Sequence, residues 1–282
     1  MEENTTIDIN EIYKLEDKGY KDSMQKLDVT ILIKEIINLY DPLTKIQNFL
    51  LKDEKANYEI IALQTFINHA YLLDCKSRFI STCFSAFRGH FSDSLILLRI
   101  AIEACACAYR IKKRSHLAKV ILESVNSNQK YKEYINKFKT SELFPAQLIH
   151  PIMNELHKRY KECSKRAHSN IVSMALSIKF PINHNKLIEK DYFEYNKAGP
   201  TGVAWHLFYI IDTHIGILQI FDEVFKDIID FNRKNWLINL KQVKNKTSLH
   251  IKNWPELINK ENWFFISAPS SDTDSPRNKP RL

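Results

Sequence analysis

The sequence predicts an all-α fold, a helical bundle, on three observations. Of 282 residues only 5 are Gly and 9 are Pro, too few for the tight turns of a β-sandwich, a glycine-rich phosphate loop or a dinucleotide-binding doubly wound sheet. Apolar residues recur at three and four residue steps over long stretches, the period of a helix with one buried face. The prolines that are present fall between those stretches, where a helix must stop. With 44% hydrophobic and 26% charged residues, the chain has the composition of a globular protein and enough length to bury a substantial core.

The elements follow in order. Residues 1–26 form an acidic N-terminal segment. Leu27, Ile31, Ile33, Ile36, Ile37 and Tyr40 then carry the first helical pattern, and Asp41-Pro42 is expected to end or kink it. A second pattern runs from Tyr58 to Phe87 and stops at Gly89, with Ser92 or Asp93 available to cap a third helix reaching Lys113. Shorter helices are expected at Leu117 to Val125 and Tyr131 to Phe138. A long one follows from Met153 to Ile178, striped by Leu156, Tyr160, Cys163, Ala167, Ile171, Met174 and Ile178, and Pro181 ends it. Residues 182–203, with Asn183, Asn185, Gly199-Pro200 and Gly202, read as an irregular connection. Helix resumes near Val203 and runs from Trp205 to Phe231. The bundle therefore covers 27–232. A basic and aromatic C-terminal helical extension, 233–266, contains Trp254, Trp263, Phe264 and Phe265, and residues 267–282, rich in Ser, Pro, Asp, Lys and Arg, are expected to be a disordered tail. No internal repeat is visible.

Charge is unevenly distributed. Lys and Arg number 41 against 33 Asp and Glu, a formal charge of +8. Residues 1–30 hold eight acidic and four basic side chains, whereas 110–166 hold fourteen basic and five acidic. Such a locally basic surface either is a solvated exterior or concentrates phosphate-bearing ligands. The start of the chain has neither the basic nor the apolar region of a secretory signal, and the run Leu95 to Tyr109 is broken by Arg99 and Glu103, so a cytoplasmic location with no membrane partner is expected. The five cysteines, Cys75, Cys83, Cys105, Cys107 and Cys163, lack a CxxC pair and fall at or near apolar helical positions. They are expected to be reduced and buried, with no metal and no cofactor.

Two helices carry polar residues that apolar packing does not explain. On the third helix, Ser92, Arg99, Glu103 and Arg110 fall within about 40° of one another at 100° per residue. Arg99 and Glu103, one turn apart, are placed to bond each other, and a purely structural ion pair is the simple alternative to a site. On the helix after Pro151, His157, Lys161, Ser164 and His168 flank the apolar stripe. Imidazole moves protons near neutral pH and guanidinium neutralises developing phosphate charge, so Arg with His is a sufficient metal-free pair for RNA cleavage.

The segments Gly89-His90-Phe91-Ser92-Asp93-Ser94-Leu95-Ile96-Leu97-Leu98-Arg99-Ile100-Ala101-Ile102-Glu103 and Tyr160-Lys161-Glu162-Cys163-Ser164-Lys165-Arg166-Ala167-His168-Ser169-Asn170 resemble a group of helical proteins related to HEPN domains. The shared pattern is LLRxxxE followed by YxxxSxxxH. The resemblance implies a helical bundle, commonly a homodimer, and many such proteins are metal-independent ribonucleases of toxin–antitoxin, phage-defence or abortive-infection systems. An arginine and a histidine from each protomer meet at the dimer cleft. By position it nominates Arg99, Glu103, Ser164 and His168. The usual HEPN signature separates Arg from His by four to six residues, and Arg110 and His116, with five between them, form a second-rank pair that chance also explains.

The expectation is an RNA-targeting endoribonuclease that needs no metal. His168 moves the proton, Arg99 stabilises the phosphate, Glu103 orients Arg99, and Ser164 bonds the phosphate or positions the histidine. Lys158, Arg159, Lys161, Lys165 and Arg166 hold the RNA backbone. An antitoxin or another defence-system protein is the expected protein partner. The rival is a noncatalytic helical interaction or sensor protein that docks a partner through its aromatic C-terminal region.

Overall fold

A computed structural model describes residues 13–14, 17–18, 20–21, 29–44, 58–145, 150–167, 178–179, 189–190, 195–227 and 232–253. The fold is all-α. In chain order the helices are α1 (Val29–Thr44), α2 (Tyr58–Phe87), α3 (Phe91–Lys113), α4 (Leu117–Glu123), α5 (Asn128–Lys137), α6 (Thr140–Leu143), α7 (Pro151–Ala167), α8 (Tyr195–Phe225) and α9 (Arg233–Asn253). Between α7 and α8, β1 (Ile178–Lys179) and β2 (Glu189–Lys190) pair antiparallel, with Ile178 opposite Lys190.

α3 is the axis of the bundle. Its Leu95, Leu98, Ala101, Ile102, Cys105, Ala108 and Ile111 are buried, and it packs on α2, α7 and α8, with α4 and α6 at its C-terminal end. Helices approach on so many sides because α3 is apolar nearly all round, which leaves no wide polar face for water. Gly89 makes the α2–α3 corner with φ 79°, a left-handed conformation that favours glycine. The N-cap of α3 is His90, without a side-chain cap bond, so neither Ser92 nor Asp93 caps it. Because the glycine turn already reverses the chain, the helix starts at Phe91 and both residues lie inside its first turn.

Four boundaries depart from the periodicity. α1 passes through Pro42 to Thr44; a proline in the last turn removes one hydrogen bond near the end of a helix, where the break costs least. α6 has four residues, too few for any apolar period to register. Ile178, expected to be helical, is paired in β1, where its β-branched side chain suits extended backbone. α8 begins at Tyr195, well before the expected Val203, and continues through Gly199-Pro200. Proline in the second turn removes one intrahelical bond without stopping a helix that tertiary packing supports.

α9 shares the single core: Trp236, Leu240 and Val243 are buried with the rest, and the Trp236 indole N–H donates to the Leu39 carbonyl of α1 at 2.8 Å. All five cysteines are free and buried, as expected. Burial pushes the Cys83 thiol up, which makes it a poor nucleophile. Gly202–Phe225 of α8 has the length and hydropathy of a membrane span, yet 72% of its most apolar window is buried inside the bundle; among the described residues this stretch, rather than Leu95 to Tyr109, passes such a test. Residues 1–12 and 254–282, including Trp254, Trp263, Phe264, Phe265 and the expected tail, lie outside the described residues.

Candidate functional site

The two helices singled out by their polar residues lie side by side: α3 and α7 pack directly. The Arg99 guanidinium sits over the Tyr160 ring, 5.4 Å from its centroid, so LLRxxxE and YxxxSxxxH meet through their Arg and Tyr. Arg99 Nη2 also reaches Glu103 Oε1 at 3.5 Å across one helical turn. That is the limit of hydrogen-bond length, and Arg99 Nε is buried with no partner among the described residues. The side chain is 28% exposed. A guanidinium has five N–H donors, and this one is served by a single long contact and an aromatic face. One turn beyond Tyr160, the Ser164 hydroxyl is buried and likewise has no partner among the described residues.

The far wall of this seam opens into a cavity of about 330 Å³ lined by Tyr71, Asp74, Glu103, Tyr134, Lys139 and Thr140, among others. Thr140 Oγ1 lies 3.4 Å from the Tyr160 hydroxyl, so the ring under Arg99 and the rim of the cavity are continuous. Burial, together with the neighbouring Cys107 and Tyr134, raises the Tyr71 hydroxyl far above the usual phenol range, which makes Tyr71 a neutral hydrogen-bonding group.

The remaining nominated residues separate. His168 lies outside the described residues, as does the side chain of Arg166. His157 stacks flat on Phe144, with centroids 4.6 Å apart and planes 3° apart. Burial, then the Lys161 charge, lowers its pKa, so it is neutral at neutral pH. Lys158, Lys161 and Lys165 are exposed, and Lys158 reaches Glu155 at 3.7 Å. Arg159 turns inward: it bonds the Asp212 carboxylate, donates to Thr213 Oγ1 at 2.8 Å and lies 5.2 Å from the Tyr209 ring centroid. Burial works against its charge, but Asp212 and Tyr209 outweigh that and raise its pKa. It fastens α7 to α8.

Arg110 and His116 do not form a joint site. Arg110 is 11% exposed, and its two Nη atoms bond the carbonyl and carboxylate of Glu142, tying α3 to α6. His116 is exposed at the start of α4. Of the polar line read from the sequence, Arg110 has both Nη groups engaged, with its Nε buried and unpartnered among the described residues, whereas Arg99 has only its long contact to Glu103.

Two buried histidine pairs were not legible in the sequence. The Ser94 hydroxyl bonds His206 Nε2, with both residues buried. Ser94 Oγ also lies 2.7 Å from the Phe91 carbonyl, and both Ser94 and His206 are sealed in the core. Tyr40 and His214 pair at 2.8 Å between the hydroxyl and Nδ1. Burial pushes the His214 pKa down to about 3. No spacing rule links positions 112 or 174 residues apart; an apolar helix such as α8 carrying His206 and His214 is the one available signal. Among the described residues no three His, Cys, Asp or Glu side chains converge as metal ligands would.

Comparison with protein-family models, curated proteins and solved structures finds no match to this chain. The likeness to HEPN domains therefore rests on the residues quoted above.

Proposed function

We propose that the protein is an RNA-targeting, HEPN-like effector that cleaves RNA without a metal, acts as a homodimer in the cytoplasm, and serves a phage-defence or toxin–antitoxin system. The observation that supports this reading is the state of Arg99: a half-buried guanidinium on a central helix, backed by Tyr160 and Glu103, with donors left over. Arg110 and Arg159, by contrast, each spend both Nη groups on bonds to neighbouring residues, although Arg110 Nε is also buried without a partner among the described residues. A cation held in place with donors to spare is what a phosphate site requires.

In the reaction proposed, the ribose 2′-oxygen attacks the adjacent phosphorus and the bond to the 5′-oxygen breaks. The products are a 2′,3′-cyclic phosphate and a 5′-hydroxyl. His168 takes the 2′-proton and a proton returns to the leaving oxygen; Arg99 faces the phosphate, Glu103 orients Arg99 and Ser164 donates to a phosphate oxygen. Lys158, Lys161 and Lys165, all exposed, hold the flanking backbone through salt-sensitive contacts.

The test is RNA cleavage by the purified chain in excess chelator, with the ends of the products identified. Cyclic phosphate ends that disappear in Arg99→Ala and His168→Ala, with thermal midpoints near that of the parent, are expected. Equal cleavage by either variant refutes its assigned role, and no cleavage by the parent across structured and unstructured RNAs refutes the reading. A noncatalytic docking protein is the second reading, favoured by the exposed Phe66 and Leu73 on α2 (64% and 45% exposed), an apolar strip that a protein surface would cover.

A further inference from the structure

The cavity beside Arg99 has apolar walls. Ile100 and Ala104 of α3 line it, as do Tyr134 and Ile135 of α5. Helix α5 carries an apolar stripe at three and four residue steps, Tyr131, Tyr134 and Ile135, continued by Phe138 just past its end. Yet none of the helix's own residues is buried, and Ile135 is 46% exposed. An amphipathic helix normally sets such a stripe on a core. Here two of its members border an open space, and a ligand in that space completes their packing.

The charged lining groups, Asp74, Glu103 and Lys139, reach solvent and so lie at the mouth. Asp74 Oδ1 accepts from Arg78 Nε at 3.1 Å, and Glu103 Oε1 from Arg99 Nη2 at 3.5 Å. Asp74 Oδ2, Glu103 Oε2 and the Lys139 ammonium carry no bond among the described residues. Because each carboxylate already has its guanidinium, the cavity holds no excess negative charge to attract a cation. Apolar faces with acceptors and one donor at the mouth fit a planar heterocycle edged by N–H groups and a carbonyl. Of the four RNA bases, only guanine sets two adjacent donors, N1–H and N2–H2, beside an acceptor, O6. Adenine and cytosine have a ring-nitrogen lone pair next to the amino group, and uracil flanks its one N–H with carbonyls, so each turns an acceptor toward a carboxylate.

We propose that this cavity binds a guanine base of the RNA, with Asp74 and Glu103 accepting from N1–H and N2–H2, Lys139 donating to O6, and Tyr134 packing on the ring. The assignment rests on the seam being the phosphate site of an RNA nuclease, and the two sites adjoin. Glu103 bonds Arg99 and stands about 6 Å along the helix axis from it, while Thr140 at the cavity meets the hydroxyl of Tyr160, the ring under Arg99. A base bonded to Glu103 thus leaves its own phosphate beside the guanidinium.

The test titrates the full chain, by ligand-observed NMR, with the 3′-monophosphates of guanosine, adenosine, cytidine and uridine, and of inosine, which lacks the N2 amine. Guanosine 3′-monophosphate is expected to bind about tenfold more tightly than the other three standard nucleotides, with inosine between. Asp74→Asn, and Ile135→Trp, which fills the cavity, should each bring guanosine down to the level of the rest while the thermal midpoint stays near that of the parent. Equal affinity of the parent for all four nucleotides, or a guanosine preference that survives both substitutions, overturns the proposal. Arg99→Ala reads the phosphate site separately and should weaken every nucleotide while keeping their order. A guanosine preference in a chain whose affinities Arg99→Ala leaves untouched upholds the base pocket and refutes the phosphate site; RNA cut by the parent equally at all four bases overturns the pocket and leaves the nuclease standing.

Discussion

Acid should destabilise this protein through one buried imidazole. His214 is completely buried on α8, its Nδ1 paired with the Tyr40 hydroxyl, its Nε2 without a partner among the described residues and its ring 4.7 Å from that of Phe79. Burial holds its pKa at about 3 in place of the ordinary 6.5. The sign follows from proton counting. Between these two values the unfolded chain carries a proton that the folded chain does not, so stability falls as pH is lowered through 6.5 toward 3. Integrating the difference from pH 7 to pH 5 gives about 2 kcal/mol from this group alone. For a protein of this size that is a drop of roughly 3–4 °C in melting temperature. The perturbation that isolates it is His214→Gln, whose carboxamide oxygen can accept the Tyr40 O–H but does not titrate. Melting is followed by circular dichroism at pH 5, 6 and 7 for parent and variant, and other titrating groups cancel in the comparison. Altered packing shifts the variant's stability equally at all three pH values, and its pH slope should be smaller by about the stated amount. Identical slopes would refute the reasoning, because they would mean that the folded imidazole takes up its proton as readily as the free one.

Two further outcomes test the packing and the surface. Arg159→Met removes the cation that bonds Asp212 and Thr213 and strands a carboxylate that is only partly solvated; urea denaturation should show a loss of about 2–3 kcal/mol, with Asp212→Asn in the same background recovering part of it. Phe66→Glu with Leu73→Glu places charge on the exposed strip of α2; if the proposed homodimer forms through this strip, sedimentation should show a dimeric parent and a monomeric variant with an unchanged melting temperature, whereas equal masses would mean that this strip is not the contact between copies.

Helices that earn their place by periodicity were legible. Tyr58–Phe87 and the end of α3 at Lys113 follow from apolar residues at helical steps and a glycine whose left-handed turn ends one helix and begins the next. Legibility failed where local signals oppose the packing. Gly199-Pro200 reads as a break, but a helix as apolar as α8 is held by the core around it and runs through both. Nor could the sequence show that α9 closes the core: its stripe of Trp236, Leu240 and Val243 is narrow within a basic helix, and the bond from Trp236 to Leu39 joins positions 197 apart.

The polar line on α3 shows why a site is harder to read than a fold. Periodicity placed Arg99 and Arg110 on one edge with equal claims, and what separates them is supplied by other elements. Glu142, on a helix of four residues that no pattern announces, takes both Nη atoms of Arg110. Opposite Arg99, α7 presents Tyr160, which stabilises a cation without neutralising it or occupying its donors. A carboxylate in place of that ring would close the seam as an ion pair and leave nothing for a phosphate. Tyr160→Glu is therefore the converse of a deletion: it should make α3 and α7 hold together at least as well while removing any affinity of the seam for anions.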